Sequence, residues 1–140
     1  MFIRTLAVLS LLVGTAAAEK APPLKASYTA DKVAEGVYVI HGPLGIPSPE
    51  NQGFMNNPGF VITSAGVVIV DPGSSVQTGE MVLGQVEKIT DQPVVAVFDT
   101  HVHGDHWLGN QAIREAYPDA SIYGHPKMIS RVEQGDGITW

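Results

Sequence analysis

Between positions 100 and 106 the chain reads Thr100-His101-Val102-His103-Gly104-Asp105-His106, which gathers three of its five histidines and one aspartate into six consecutive positions. Imidazole and carboxylate together suit a divalent metal, zinc first, with iron the other option. In an extended segment His101 and His103 lie on the same side, so both rings can reach one ion. Gly104 lets the chain turn sharply and re-aims Asp105 and His106 at a second position nearby. Two ions about 3.5–4 Å apart would hold a bridging water, lower its pKa toward about 7 and clamp the attacking and leaving oxygens. Three surface histidines on a polar loop, or a catalytic histidine with bystanders, would not require this spacing.

Such residues need a rigid platform. Val94-Val95-Ala96-Val97-Phe98 reads as a buried strand, and the motif follows its carboxyl end, where open α/β sheets form their ligand crevices. Val67-Val68-Ile69-Val70 is apolar throughout, as a strand covered on both faces would be, and it stops at Asp71-Pro72-Gly73. Gly59 to Thr63 precedes it through Ser64-Ala65-Gly66 as a tight hairpin. Ser74 or Ser75 can cap a helix from about Val76 to Ile89, with Val82, Val86 and Ile89 on one face. Asp91-Gln92-Pro93 breaks that helix. Asp99 to His106 is expected to be a polar loop, Gly109-Asn110 to open a helix running to Tyr117, and Ser121-Ile122-Tyr123 to form a short strand. Pro126 starts a further helix toward Val132. Toward the amino terminus, Lys32-Val33-Ala34 and Val37-Tyr38-Val39-Ile40 flank a break at Glu35-Gly36 as two more strands. This succession predicts an α/β (α+β) layered domain.

Gly42 to Pro58 carries four prolines, Pro58 included, and five Gly and Asn residues between its ends, which rules out regular structure. Leu44, Ile46, Phe54 and Met55 leave two readings open: a flap over a substrate, or a loop pinned to the core.

The whole chain has 140 residues, enough for one domain. With 44% hydrophobic and 16% charged residues, it should pack a core. A net charge of −6 argues against a nucleic-acid partner. The absence of cysteine excludes disulfides, thiolate metal sites and cysteine nucleophiles. Met1-Phe2-Ile3-Arg4, an apolar run from Thr5 to Gly14 and Ala16-Ala17-Ala18 before Glu19 have the layout of a secretory signal peptide over residues 1–18. The run is shorter than the roughly 20 residues of a spanning helix, so no membrane association is expected after cleavage. Residues 19–27 form a flexible lead-in and 28–140 the domain, in a periplasmic or secreted protein acting on a small molecule.

The His-x-His-x-Asp-His run, preceded by Val67-Val68-Ile69-Val70-Asp71-Pro72-Gly73, resembles the amino-terminal half of the metallo-β-lactamase superfamily from roughly Val33 to Val132. The resemblance implies half of an αββα sandwich, with His101 and His103 as ligands of a first zinc ion. Asp105 and His106 would serve a second, Asp105 also holding the nucleophilic water as the catalytic residue. It implies that Asp71 supports the ligands by hydrogen bonding; a simple turn before Pro72-Gly73 is the other reading. Asp99 could act similarly, or accept hydrogen bonds from the loop backbone, the reading preferred.

The family takes further ligands from its carboxyl-terminal half, and the motif is followed here by His125 alone, read as a helix-entry residue. His41 is read as a surface or site-rim residue. The chain therefore resembles a truncated frame or fragment. The implied activity is metal-dependent hydrolysis, a metal-bound hydroxide attacking an ester, thioester, lactam or sulfate. Exported relatives in sulfur or quinoprotein metabolism come first, then a secreted β-lactamase and a glyoxalase II-like thioesterase. The alternatives are a non-catalytic metal-binding fragment and a mono-iron relative in sulfur metabolism.

Overall fold

Runs of β-branched and aromatic residues between Gly, Asp and Pro form strands because such side chains pack well on a pleated surface. The computed structural model describes residues 22–136 and sets six strands side by side in chain order. They are β1 (Ala30–Ala34), β2 (Val37–Ile40), β3 (Gly59–Thr63), β4 (Gly66–Val70), β5 (Val94–Asp99) and β6 (Ser121–Gly124). The expected signal peptide lies outside the described residues.

β1 to β4 pair antiparallel, whereas β4, β5 and β6 are parallel. Parallel neighbours need a crossover. The first is α1 (Val76–Glu87); the second contains α2 (Gly104–Trp107) and α3 (Asn110–Ala116). α4 (Pro126–Glu133) follows β6. Among the described residues no helix is long and apolar enough to cross a membrane.

The caps explain the helix boundaries. Ser75 Oγ accepts from Thr78 N at 3.2 Å, making Ser75 the N-cap of α1. α1 ends two residues before the expected Ile89, whose backbone N–H and that of Thr90 turn back onto Val86 O. Pro126 opens α4 with His125 as N-cap; His125 Nδ1 accepts from Lys127 N at 3.2 Å. His125 is thus the helix-entry residue expected.

Alternation along the strands sends Ile40, Phe60, Val67, Ile69 and Val97 into the core with Val82, Leu83 and Val86 of α1 and Ile113 of α3. Phe98 and Tyr123, paired across β5 and β6, point to the opposite face and stack at 4.9 Å. They remain 47% and 50% exposed, and Val68 and Val70 on the same face are only partly buried, so β4 and β5 are covered on one face and not on both as their apolar runs suggest.

The long loop is pinned to the core at one residue, as one of its two readings expects. Phe54 is fully buried against Tyr28, ring centroids 4.7 Å apart, while Leu44 and Ile46 stand 102% and 80% exposed. Asn51 braces it, accepting from Ser48 N and Gly53 N and donating to Ile46 O, each at 2.9 Å.

Candidate metal centre

Because β4 and β5 are adjacent and parallel, the turn after Val70 and the motif after Asp99 emerge at the same end of the sheet. Asp71 N donates to Phe98 O at 3.1 Å, and Asn56 Nδ2 donates to Asp71 O at 3.0 Å. These bonds hold Asp71 at φ 52, a left-handed conformation that aspartate adopts more readily than most residues. Its carboxylate then faces the motif. Oδ1 accepts from Thr100 N at 2.8 Å; Oδ2 accepts from Thr100 Oγ1 at 2.7 Å and lies 2.8 Å from His106 Nδ1.

Backbone bonds lock the two loops together. Gly73 N donates to His106 O at 3.2 Å and Gly109 N to Gly73 O at 2.8 Å. Gly109 permits this approach: a Cβ there would sit 2.5 Å from Pro72 O. Gly73 adopts φ +110, and its Cβ would fall 2.1 Å from Thr78 Cγ2. Trp107 Nε1 donates to Val102 O at 2.9 Å, closing the motif on itself.

His101 lies between the other two motif histidines, and its ligand atoms group with those of His106 and Asp71 but not with those of His103 or Asp105. The His101 ring lies 4.1 Å from that of His106 and 4.8 Å from that of His103, centroid to centroid. The segment after His103 is helical rather than the polar loop expected: His103 is the N-cap of α2, whose turn carries Asp105 and His106. Asp105 is buried, its Oδ2 3.4 Å from His106 Nε2, and its Oδ1 has no hydrogen-bond partner. His41 lies elsewhere, exposed on the surface 3.8 Å from Asp31.

Asp99 departs from the preferred expectation. It ends β5 instead of opening a loop, and its Oδ2 accepts from the Asn110 side chain at 2.8 Å, not from the loop backbone. Its Oδ1 is buried without a partner, and burial pushes its pKa up to about 6.

Burial also opposes the charge on Asp71, but hydrogen bonds from His106 and Thr100 outweigh it and hold the carboxyl below its ordinary value. Burial would lower His106, yet the hydrogen bond and charge of Asp71 lift it above the usual imidazole value. His101 is lowered by burial and then by the neighbouring rings of His106 and His103.

This donor set fits a cation. Ligand atoms of Asp71, His101 and His106 all lie within 4.8 Å of one another. Asp71, however, is already engaged by three hydrogen bonds, whereas the buried, partnerless Asp105 Oδ1 is an acceptor that a positive ion would satisfy. Thr100, Asn56, Asn110 and Trp107 escape the sequence reading. Thr100 adjoins the motif, which is a hint; Asn56 sits among turn formers and carries none.

The family model described as Metallo-beta-lactamase superfamily matches residues 51–136. The chain is 45% identical over 47 residues to a linear primary-alkylsulfatase of a Pseudomonas species, covering 34% of this chain and 9% of that protein. It is 36% identical over 64 residues to a hydroxyacylglutathione hydrolase of a Nostoc species, covering 46% and 23% respectively. Among solved structures, the metallo-β-lactamase FIM-1 of Pseudomonas aeruginosa in its mono-zinc form superposes with a TM-score of 0.64 at 18% identity, over 80% of this chain and 48% of that one. A metallo-β-lactamase from Pontibacter korlensis gives 0.63 at 20% identity, over 79% and 50%. At such identities the likeness speaks for the fold: the mixed sheet and its helices correspond to about half of these lactamases. The chain spans less than a quarter of the length of the two hydrolases.

Proposed function

The chain belongs to the metallo-β-lactamase superfamily, and from that premise we propose that it supplies the metal-binding half of an exported, zinc-dependent hydrolase. His101 and His103 would hold a first ion, Asp105 and His106 a second. The observation that carries this reading is the contact between Asp71 Oδ2 and His106 Nδ1 at 2.8 Å. It directs the remaining ring nitrogen toward Asp105, whose Oδ2 is 3.4 Å away and whose buried Oδ1 lacks a partner. When bound, the metal would lower the pKa of a water and stabilise negative charge developing on the substrate.

The chain's own residues have separate tasks. Asp71 orients His106, as carboxylates orient metal-bound imidazoles. Asp105 holds the attacking water through a carboxylate oxygen that accepts its hydrogen bond. A small substrate with an electrophilic acyl or sulfuryl centre (an ester, thioester, lactam or sulfate) suits this chemistry. The sulfatase and the acylglutathione hydrolase among the relatives keep both centres in view. Export rests on the arrangement of residues 1–18.

Equilibrium dialysis against zinc, followed by elemental analysis, tests the site. The parent chain should retain zinc, with chelator-sensitive turnover of an aryl ester or aryl sulfate wherever the site is complete. Zinc uptake that does not depend on His101 and His103 would refute the assignment. One weakly held ion and no turnover would instead favour a non-catalytic metal-binding unit, and bound iron the mono-iron reading.

A further inference from the structure

Three hydrogen bonds converge on the Asp71 carboxylate, which in its ionised form can only accept. Thr100 supplies two, from its backbone N to Oδ1 at 2.8 Å and from its hydroxyl to Oδ2 at 2.7 Å. The third contact, 2.8 Å from Oδ2 to His106 Nδ1, therefore needs a proton on that nitrogen. Thr100 Oγ1 also lies 2.9 Å from His101 Nδ1. A hydroxyl has one proton, and this one is engaged by Asp71. The contact with His101 can then be made only by the imidazole, donating from Nδ1 to the Thr100 oxygen.

We propose that Thr100 is a positioning residue through which one carboxylate, Asp71, sets the tautomer of two imidazoles: His106 directly, and His101 by way of the Thr100 hydroxyl. The chain of donors runs from His101 Nδ1–H to Thr100 Oγ1–H to Asp71 Oδ2, where His106 Nδ1–H also ends. Both neutral rings keep their lone pair at Nε2, the nitrogen left for a ligand. The inference rests on the proposed reading only in taking His101 and His106 as metal ligands. His125 provides an internal contrast, since its Nδ1 accepts from Lys127 N at 3.2 Å and its proton must be on Nε2.

The threonine lends itself to dissection. Thr100→Val preserves the branched shape and the backbone N–H that holds Asp71 Oδ1, and removes the hydroxyl alone. Thr100→Ser restores it. The test is long-range proton–nitrogen correlation of the imidazoles in the metal-free chain, at alkaline pH where the rings are neutral. In the parent chain His101 and His106 should carry their proton on Nδ1, and His125 on Nε2. Thr100→Val should move His101 alone toward the Nε2–H form, and Thr100→Ser should retain the parent pattern.

An Nε2–H form of His101 in the parent chain would overturn the proposal, whether or not the valine variant folds. So would an unchanged His101 in a folded Thr100→Val variant. Zinc competition against a chromophoric chelator adds a second readout: Thr100→Val should bind about 10–100-fold more weakly, the range for losing a residue that orients a ligand, with Thr100→Ser close to the parent. Failure of the parent chain to take up zinc would reject the metal site itself, while the tautomer pattern still decides the role of Thr100.

Discussion

Asp71 Oδ2 and His106 Nδ1 lie 2.8 Å apart although 35 positions separate the two residues in the chain. Their meeting depends on two parallel strands ending at the same end of the sheet and on one helical turn after His103 that swings His106 back over the turn beyond β4. Both side chains are mostly shielded from solvent, so the pair should register in stability as well as in geometry.

In the metal-free chain the pair predicts a pH window. Asp71 is held below its ordinary value, so its contribution is present above about pH 4 and lost as pH falls through the lowered pKa. His106 is raised, so its contribution is full below about pH 6.5 and lost as pH rises through the raised pKa. Asp71→Asn should cost about 2 kcal/mol between these limits and less on either side, as urea unfolding across pH would reveal. A uniform loss at every pH would contradict this account.

Asp99 has the opposite sign. Burial raises its pKa to about 6, so the carboxyl favours the fold most below about pH 4, and that advantage disappears as pH rises through 6. Asp99→Asn should therefore raise the stability of the metal-free chain by about 1 kcal/mol at pH 8, after allowance for solvent screening. At pH 4 it should make little difference. Thermal melts at the two pH values would decide, and equal effects at both would disprove the assignment.

His103 tests the metal centre with little risk to the fold. Its side chain is exposed, opens α2 without a capping hydrogen bond and meets the ring of His101 at 4.8 Å. On the proposed reading His103→Ala removes a ligand outright. It should lower zinc affinity more than 100-fold, beyond the 10–100-fold cost of losing an outer-shell partner. Equilibrium dialysis with unchanged metal content would remove His103 from the site.

Phe98 and Tyr123, stacked and about half exposed opposite the helices, lie on a face continued by Val68 and Val70. Contiguous apolar surface of this kind promotes association. The chain should bind the dye ANS and form oligomers on gel filtration, and Phe98→Ser combined with Tyr123→Ser should reduce both. A monodisperse parent chain that ignores ANS would mean this face is covered.

Much of the architecture was legible because its signals are local. Val67 to Val70 and Val94 to Phe98 are continuous apolar runs bounded by Gly, Asp and Pro, and both form strands. Ser75 and Pro126 mark helix starts through short-range backbone chemistry. The segment from Gly104 to Trp107 was less legible: a single helical turn is too short for apolar periodicity to announce it.

The candidate donors are legible in the sequence alone, because His101, His103, Asp105 and His106 fall within six positions and need no distant partner to be recognised. The sequence also shows that the motif follows an apolar strand, though the burial expected of that strand holds on one face only, Phe98 being 47% exposed. What surrounds those donors comes from the packing of distant segments. The carboxylate of Asp71 reaches His106 and Thr100, Asn56 holds the Asp71 backbone, and Asp99 is enclosed with Asn110 instead of serving the loop. Each of these contacts crosses between elements brought together by parallel strand pairing and loop packing. Hydrogen-bond partners and burial depend on that juxtaposition, which local spacing along the chain does not encode.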